Sequence, residues 1–247
     1  MSIIKDEGIV IRNRPLNEAD RIVTILTRFH GKLEAVAKGA RRPRSRFVAS
    51  TLPFTQINLM LFEGKNMHNL SQAEIITSFH AVRDDLVKMA YASYWMELVE
   101  SLLEIQQDAE KIYTLTIKAL HRLIETDKPA LFSRLFELRL ADYLGWKPEL
   151  TLCVACGKEI SSPPFFFAGE LGGMLCSDCK KNTAGILPIS GEAWTVLNRL
   201  LNAGEGNSDK IEYTSQTLKD IAKLLCDFFQ IQAGKKIKSF LFLLEVD

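Results

Sequence analysis

No apolar run in this sequence approaches the roughly 20 residues a bilayer span needs; the longest near the C-terminus is Phe240–Leu244. The opening, Met1-Ser-Ile-Ile-Lys-Asp-Glu7, lacks the basic and then apolar stretch of a secretory signal, so no oxidising compartment is expected. Also missing are the GxGxxG and GxxxxGK[ST] phosphate loops, the HExxH helix and the GxSxG elbow, which argues against nucleotide-driven and common hydrolytic chemistry. Histidine is scarce: His30, His68, His80 and His121 are scattered without ligand spacing. There is no repeat and no low-complexity segment. Net charge is only +1 over 247 residues and names no partner by itself. Its distribution is more informative. Residues 1–80 hold twelve Lys/Arg against seven Asp/Glu, a net of +5, and the remainder nineteen against twenty-three, a net of −4. Basic character belongs to one end of the chain, which is a signal for a partner.

What is present begins with cysteine. Four of five cysteines form two matched pairs, Cys153-Val-Ala-Cys156 and Cys176-Ser-Asp-Cys179, nineteen residues apart. Two residues between partners let one tight turn aim both sulfurs at a tetrahedral centre, and the whole pattern is that of a four-thiolate zinc site. Four sulfurs leave zinc no open position, so one structural zinc is expected and metal catalysis is not. Lys158, Lys180 and Lys181 stand near enough in sequence to offset the surplus negative charge. Two disulfides would need an oxidising compartment, and thioredoxin-like exchange would need a strand-to-helix setting that neither pair has. Between the pairs, Pro163-Pro164, Phe165-Phe166-Phe167 and glycines 169, 172 and 173 read as a short hairpin. Cys226 falls in an apolar helical pattern and reads as core.

The hydrophobic pattern divides the chain. Strand signals run from Gly8 to Arg12, Arg21 to Phe29, Leu33 to Lys38, Phe54 to Phe62 and Met67 to Ile76. The fourth alternates most clearly, with Ile57, Leu59 and Leu61 on one face and Gln56 and Asn58 on the other. His30-Gly31 and Glu63-Gly64 supply turns. Five short strands with a long third connection fit an OB-fold; an SH3-like barrel shares the pattern. From about Phe79 the period is helical, with Tyr91, Trp95, Leu98, Leu102 and Ile105 as one stripe. Asp108 is expected to cap a helix to about Thr126, and Asp84-Asp85 sits early in a helix where the dipole favours acid. Pro129 opens a helix that Gly145 and Pro148 close. Further helices are expected near 190–202 and 215–232, joined by a loop at Gly204–Ser208. The expected fold is α+β and multidomain: an OB-fold β-barrel (1–78), an all-α region (79–149 and 186–247), and a zinc-ribbon insert with four cysteine ligands (150–185).

The functional stretch outside the cysteines is Lys38-Gly-Ala-Arg41-Arg42-Pro-Arg44-Ser-Arg46, five cations in nine residues with no acid. Such runs are often plain solvated surface. Here arginine dominates, and its planar fork suits phosphate oxygens. Arg12 and Arg14 are expected in the first inter-strand connection, which OB-folds often use for oligonucleotides. Phe47 and Phe54 flank the run and are candidates for a stacking face, with Phe54 equally readable as core.

The order of parts resembles the RecO family of bacterial DNA repair proteins. The matches are Glu7-Gly-Ile-Val-Ile, Gly31-Lys-Leu-Glu-Ala-Val-Ala-Lys-Gly-Ala-Arg-Arg, and Phe136-Glu-Leu-Arg-Leu-Ala-Asp-Tyr-Leu-Gly-Trp-Lys-Pro148 leading into the cysteines. Gln230–Ser239 fits the family pattern loosely. The resemblance implies a cytoplasmic, non-enzymatic recombination mediator, nucleoid-associated during repair. Such a protein binds single- and double-stranded DNA and anneals strands. It acts with RecR and helps load recombinase on DNA coated by the single-strand-binding protein, whose acidic C-terminal tail meets the helical region. Near the matched segment, Arg134, Arg139 and Lys147 are the cations available for that tail, with a structural salt bridge the other reading of each. An RNA-binding zinc-ribbon protein, or a scaffold whose basic loop meets an acidic protein, would share the same residues.

Overall fold

Strand β1 (Ile3–Pro15) runs thirteen residues and pairs twice. Its first half lies antiparallel to β4 (Gln56–Phe62) and its second half to β2 (Arg21–Thr27), with a bulge between Val10 and Arg12 where the register shifts. Such a bulge adds twist and bend, which is what closing a barrel requires. Gly8 pairs with both neighbours, with Thr27 and with Ile57. A Cβ there would lie 2.6 Å from Ile25 and 2.9 Å from Leu59, so only glycine lets the strand pass this close to the core. β3 (Lys32–Ala37) lies antiparallel to β2 and parallel to β5 (His68–Thr77), giving the closed order β1-β2-β3-β5-β4. This is the expected OB-fold, with the one-turn helix α1 (Phe47–Ser50) on the connection from β3 to β4. The barrel core is built from alternating residues such as Val10, Val23, Ile25, Leu33, Ile57, Leu59 and Leu61.

The structure, a computed structural model, describes residues 2–64, 67–104, 109–203 and 210–246. The expected stripe residue Ile105, the expected cap Asp108 and the expected loop Gly204–Ser208 lie outside these. After the barrel come α2 (His80–Arg83), α3 (Leu86–Leu102) and α4 (Glu110–Glu125). Asp85 caps α3 by accepting from the Lys88 N–H at 3.0 Å. The expected stripe of α3 is buried, and so are Tyr94, Met96 and Val99. α3 therefore buries more than one face, packing on both β1 and α4. Gln56, expected on the open face of β4, is buried and donates to the Tyr113 hydroxyl of α4 at 3.0 Å.

The backbone divides into two compact units, one ending at Glu125 and the other beginning at Thr126. The stretch 79–149 is thus shared between them, α2–α4 in the first and α5 (Pro129–Tyr143) in the second. α5 begins with proline, as expected, and ends at Gly145 with φ +79°. The second unit adds a three-stranded sheet of β6 (Phe165–Ala168), β7 (Gly173–Leu175) and β8 (Ile186–Ile189), in the order β7-β6-β8. The hairpin β6–β7 between the cysteine pairs was expected; β8 was not. α6 (Gly191–Asn202), α7 (Ser215–Ala233) and α8 (Ser239–Val246) follow, the last not anticipated. Ser190 and Thr214 cap α6 and α7. α5, α6 and α7 pack on one another. The sheet joins them through aromatics: Phe165 stacks on Trp194 (4.7 Å, 8°), and Phe167 meets Phe228 edge-on at 6.1 Å.

Candidate functional site

Two places gather the expected residues. In the second unit, the ligand atoms of Cys153, Cys156, Cys176 and Cys179 all lie within 4.8 Å of one another. Each pair sits in a tight turn. The Gly157 N–H bonds back to the Cys153 carbonyl at 2.8 Å, and the Lys180 N–H to the Cys176 carbonyl at 3.0 Å. Gly157 has φ +74°, which lets the first turn fold back directly after its second sulfur. The two turns meet where Val154 N–H donates to the Met174 carbonyl at 2.9 Å, and Gly173 leaves room for the side chain of Val154, 2.6 Å from a Cβ built there. Glu149 braces the entry, its carboxylate accepting from the N–H groups of Thr151 and Leu152.

The electrostatics fit a metal ion. Burial alone would push the Cys153 thiol up, but N–H groups of Cys176, Ala155 and Cys156 aimed at its sulfur bring it down to about 6. The crowding sulfurs of Cys156 and Cys176 push the Cys179 thiol up to about 12. Four such groups resist ionising together unless a cation lies among them. Tetrahedral zinc at ~2.3 Å from each sulfur puts sulfurs about 3.8 Å apart, and Cys156 and Cys176 already stand at 3.8 Å. These four residues could hold one metal ion. Of the three nearby lysines, Lys180 lies over the Phe166 ring at 3.8 Å.

The second place is on the barrel. Lys38, Arg41, Arg42, Arg44 and Arg46 are all exposed on the turn that leaves β3. Among the described residues none of these five forms a salt bridge. Arg46 is anchored, donating to the Ser71 carbonyl at 2.7 Å with its guanidinium over Phe47. Arg41 donates to the Asn17 carbonyl in the β1–β2 turn. In that turn Asp20 accepts from the Gly39 N–H at 2.7 Å and from the Asn17 amide at 2.9 Å. The Gly39 N–H, the Asn17 amide and the charges of Arg42 and Lys38 hold the Asp20 carboxyl below its ordinary range. Sequence reasoning missed Asp20, because its partner is a backbone group nineteen residues away.

Three expectations are corrected. Arg12 and Arg14 lie within β1 and not in the connection after it, since the strand continues to Pro15. Arg12 pairs with Glu100 at 3.0 Å and Arg14 approaches Glu34 at 4.0 Å. Phe47 and Phe54 are 6% and 5% exposed, so neither offers a stacking face, and Phe54 takes its core reading. Arg134 takes its other reading, a structural salt bridge: it is buried, its guanidinium 2.6 Å from Glu137 and 3.0 Å from Ser133, so it cannot meet a partner at the surface. Arg139 donates to the Ala203 carbonyl, and Lys147 is exposed. A groove of about 550 Å³ also opens in the second unit, its apolar wall made by Phe167, Leu224, Phe228 and Ile231, with Lys235 and Lys236 among its lining residues. The two lysines were visible in the sequence; the apolar wall, drawn from the sheet and α7, was not.

The sequence matches the family model "Recombination protein O N terminal" over residues 1–79 and "Recombination protein O C terminal" over residues 83–240. The chain belongs to the RecO family. A DNA repair protein RecO of Symbiobacterium thermophilum is 40% identical over 246 residues, 98% of this chain and 97% of that protein. Those of Acetivibrio thermocellus and a Thermoanaerobacter species are 35% and 31% identical over 225 and 240 residues, spanning 91% and 97% of this chain and 89% and 96% of theirs. RecO is thus named a DNA repair protein across relatives spanning both units. Among the described residues no helix is long and apolar enough to cross a membrane.

Proposed function

We propose that this RecO-family chain binds single- and double-stranded DNA through its barrel, anneals complementary strands without nucleotide, and helps load recombinase on DNA coated by single-strand-binding protein. The observation that carries this reading is the exposed run from Lys38 to Arg46, none of whose five cations forms a salt bridge among the described residues, on a DNA-repair-family barrel. Lys38, Arg41, Arg42, Arg44 and Arg46 neutralise phosphates, with Arg12 and Arg14 contributing from β1. Phosphate contacts position a strand and read no sequence. The ion proposed for the four cysteines is a single zinc, held by Cys153, Cys156, Cys176 and Cys179, which supplies structure and no catalysis. The chain acts in the cytoplasm and, during repair, at the nucleoid.

For partners, RecR and the acidic tail of single-strand-binding protein are proposed. Arg139 and Lys147 remain candidates for the tail, and Arg134 does not. The groove beside Lys235 and Lys236 also suits an apolar, acidic segment. The test of the central reading is binding and annealing of complementary oligonucleotides by the purified chain, with Arg41→Ala/Arg42→Ala alongside. The double variant should bind DNA weakly and anneal slowly while unfolding at the wild-type temperature, since exposed charges contribute little to folding. Wild-type binding by that variant would move the site elsewhere, and tighter binding of RNA than of DNA would turn the reading to RNA.

A further inference from the structure

The turn between β1 and β2 carries no cation between Pro15 and Asp20, yet it is built against the basic loop at several points. Asn17 organises it, its side-chain oxygen accepting from the Ala19 and Asp20 N–H groups, both at 2.8 Å. That fixes the Asp20 carboxylate. One oxygen takes the Gly39 N–H at 2.7 Å and the other takes the Asn17 amide at 2.9 Å. The Arg41 N–H then bonds to the Ala19 carbonyl at 2.9 Å, and the Arg41 side chain to the Asn17 carbonyl. Gly39 has φ +71° and donates its N–H to the acid, whose carboxylate also feels the charges of Arg42 and Lys38. A carboxylate at the base of a cationic loop is otherwise a poor choice for a DNA-binding surface, because it repels the phosphates the loop must meet.

We infer that Asp20 is a positioning residue: by holding the Gly39 N–H it sets the path of the loop from Lys38 to Arg46, so that the cations face a phosphate backbone together. This rests on the proposed phosphate-binding role of that loop. The carboxylate acts through Gly39 and touches no nucleic acid. A fixed loop loses less conformational freedom on binding, so each cation contributes more of its interaction to affinity. The depressed ionisation of Asp20 is consistent with a carboxylate held in place by donors.

The two possible roles of Asp20 predict opposite signs. As a mere negative charge near the site, its removal in Asp20→Ala or Asp20→Asn should tighten DNA binding. As a positioning residue, Asp20→Ala should weaken single-strand binding about five- to tenfold, the scale of one ordinary net hydrogen bond. It should also flatten the log–log salt dependence by ~0.7 for each phosphate no longer reached. Asp20→Asn keeps an acceptor for the Gly39 N–H but sets a donor against the Asn17 amide, and should stay closer to wild-type affinity and slope than Asp20→Ala. Hydrogen exchange of the Gly39 amide should be slow in the wild type and in Asp20→Asn, and fast in Asp20→Ala. If Asp20→Ala does not fold, Asn17→Ala removes the groups that orient the carboxylate and should weaken binding in the same direction. Wild-type or tighter binding by a folded Asp20→Ala, or by Asn17→Ala in its place, overturns the inference. So does equal weakening in Asp20→Ala and Asp20→Asn at unchanged slope. Arg41→Ala/Arg42→Ala, measured in parallel, separates the two failures. If it loses affinity while Asp20→Ala does not, the loop binds DNA and only the positioning role falls. If it keeps wild-type affinity, the loop is not the phosphate surface and both fall.

Discussion

Single residues here differ in how far their neighbours in sequence announce them. Cys153, Cys156, Cys176 and Cys179 were legible because a tetrahedral site demands a short local spacing twice over. Asp20 was not, because what makes it useful is a backbone N–H nineteen residues away. Arg134 reads as a cation available to a partner, yet it lies on the buried side of α5 with 3% of its side chain exposed, against Glu137. Removing one half of a buried pair leaves the other half charged in a poor environment. Arg134→Ala should therefore cost about 3–5 kcal/mol in stability, measured by urea unfolding. Arg134→Met with Glu137→Leu should recover most of that, since apolar groups of similar volume often replace such pairs at little cost. At Gly8 the constraint is steric, a Cβ meeting Ile25 and Leu59 at under 3.0 Å. Gly8→Ala should destabilise the barrel by about 1–3 kcal/mol, the range for overpacking a filled core. A melting temperature equal to wild type would show that β1 can shift to make room.

At the scale of elements, β2 to β5 were legible to within about two residues: β3 and β4 alternate against the core, and β2 is a short apolar run buried almost throughout. β1 was seen only in its middle. Lys5, Asp6 and Glu7 conceal its first half, and Arg12, Asn13 and Arg14 its second. Lys5, Arg12 and Arg14 face outward, and Asp6 turns to accept from the Phe29 N–H of the next turn at 3.0 Å. β8 escaped because Ile186-Leu-Pro-Ile189 is four residues with a proline, and its pairing with β6 is a tertiary fact. That pairing matters for the metal. Phe165 on β6 stacks on Trp194, whose indole N–H donates to the Leu150 carbonyl just before the first cysteine pair. Chelation, or Cys153→Ala with Cys156→Ala, should thus loosen β6–β8 and shift the Trp194 fluorescence. The barrel amides should keep their exchange protection, since their core does not draw on the sulfurs. Unchanged Trp194 emission in metal-stripped protein would separate the cysteine cluster from the helices. Between α6 and α7, the Glu192 carboxylate accepts from the Thr214 N–H at 2.8 Å, and hydrogen bonds from Thr217 and Thr214 hold its ionisation below the ordinary range. A depressed acid contributes stability that is present above its unfolded value and lost as pH falls through its folded one. The melting temperature should fall on acidification below about pH 4. In Glu192→Gln that part of the fall should vanish, which a comparison of melting profiles across pH would check.

For the whole molecule, the informative quantity is where charge lies and not how much there is. A chain of net charge +1 whose first 80 residues carry +5 keeps its excess of positive charge on the OB-fold barrel. The order of barrel, helices and cysteine insert was legible because each part has its own period. The grouping of α2–α4 with the barrel was not, because it depends on α3 and α4 packing against β1, and no local pattern encodes that. If about five phosphates meet the loop, single-strand affinity should fall with a log–log salt slope of roughly −3.5. Between ~50 and ~200 mM salt that is a loss of about a hundredfold. Arg41→Ala/Arg42→Ala should flatten the slope by about 1.4, at ~0.7 per contact, and weaken all sequences alike, because contacts to phosphate carry no base information. Annealing should follow the same salt dependence and be indifferent to added nucleotide, since the sequence contains no phosphate-cradling loop. A wild-type slope near zero, measured by titrating a labelled oligonucleotide at several salt concentrations, would mean that binding is not driven by counterion release. The exposed arginines would then serve an acidic protein and not a phosphate backbone.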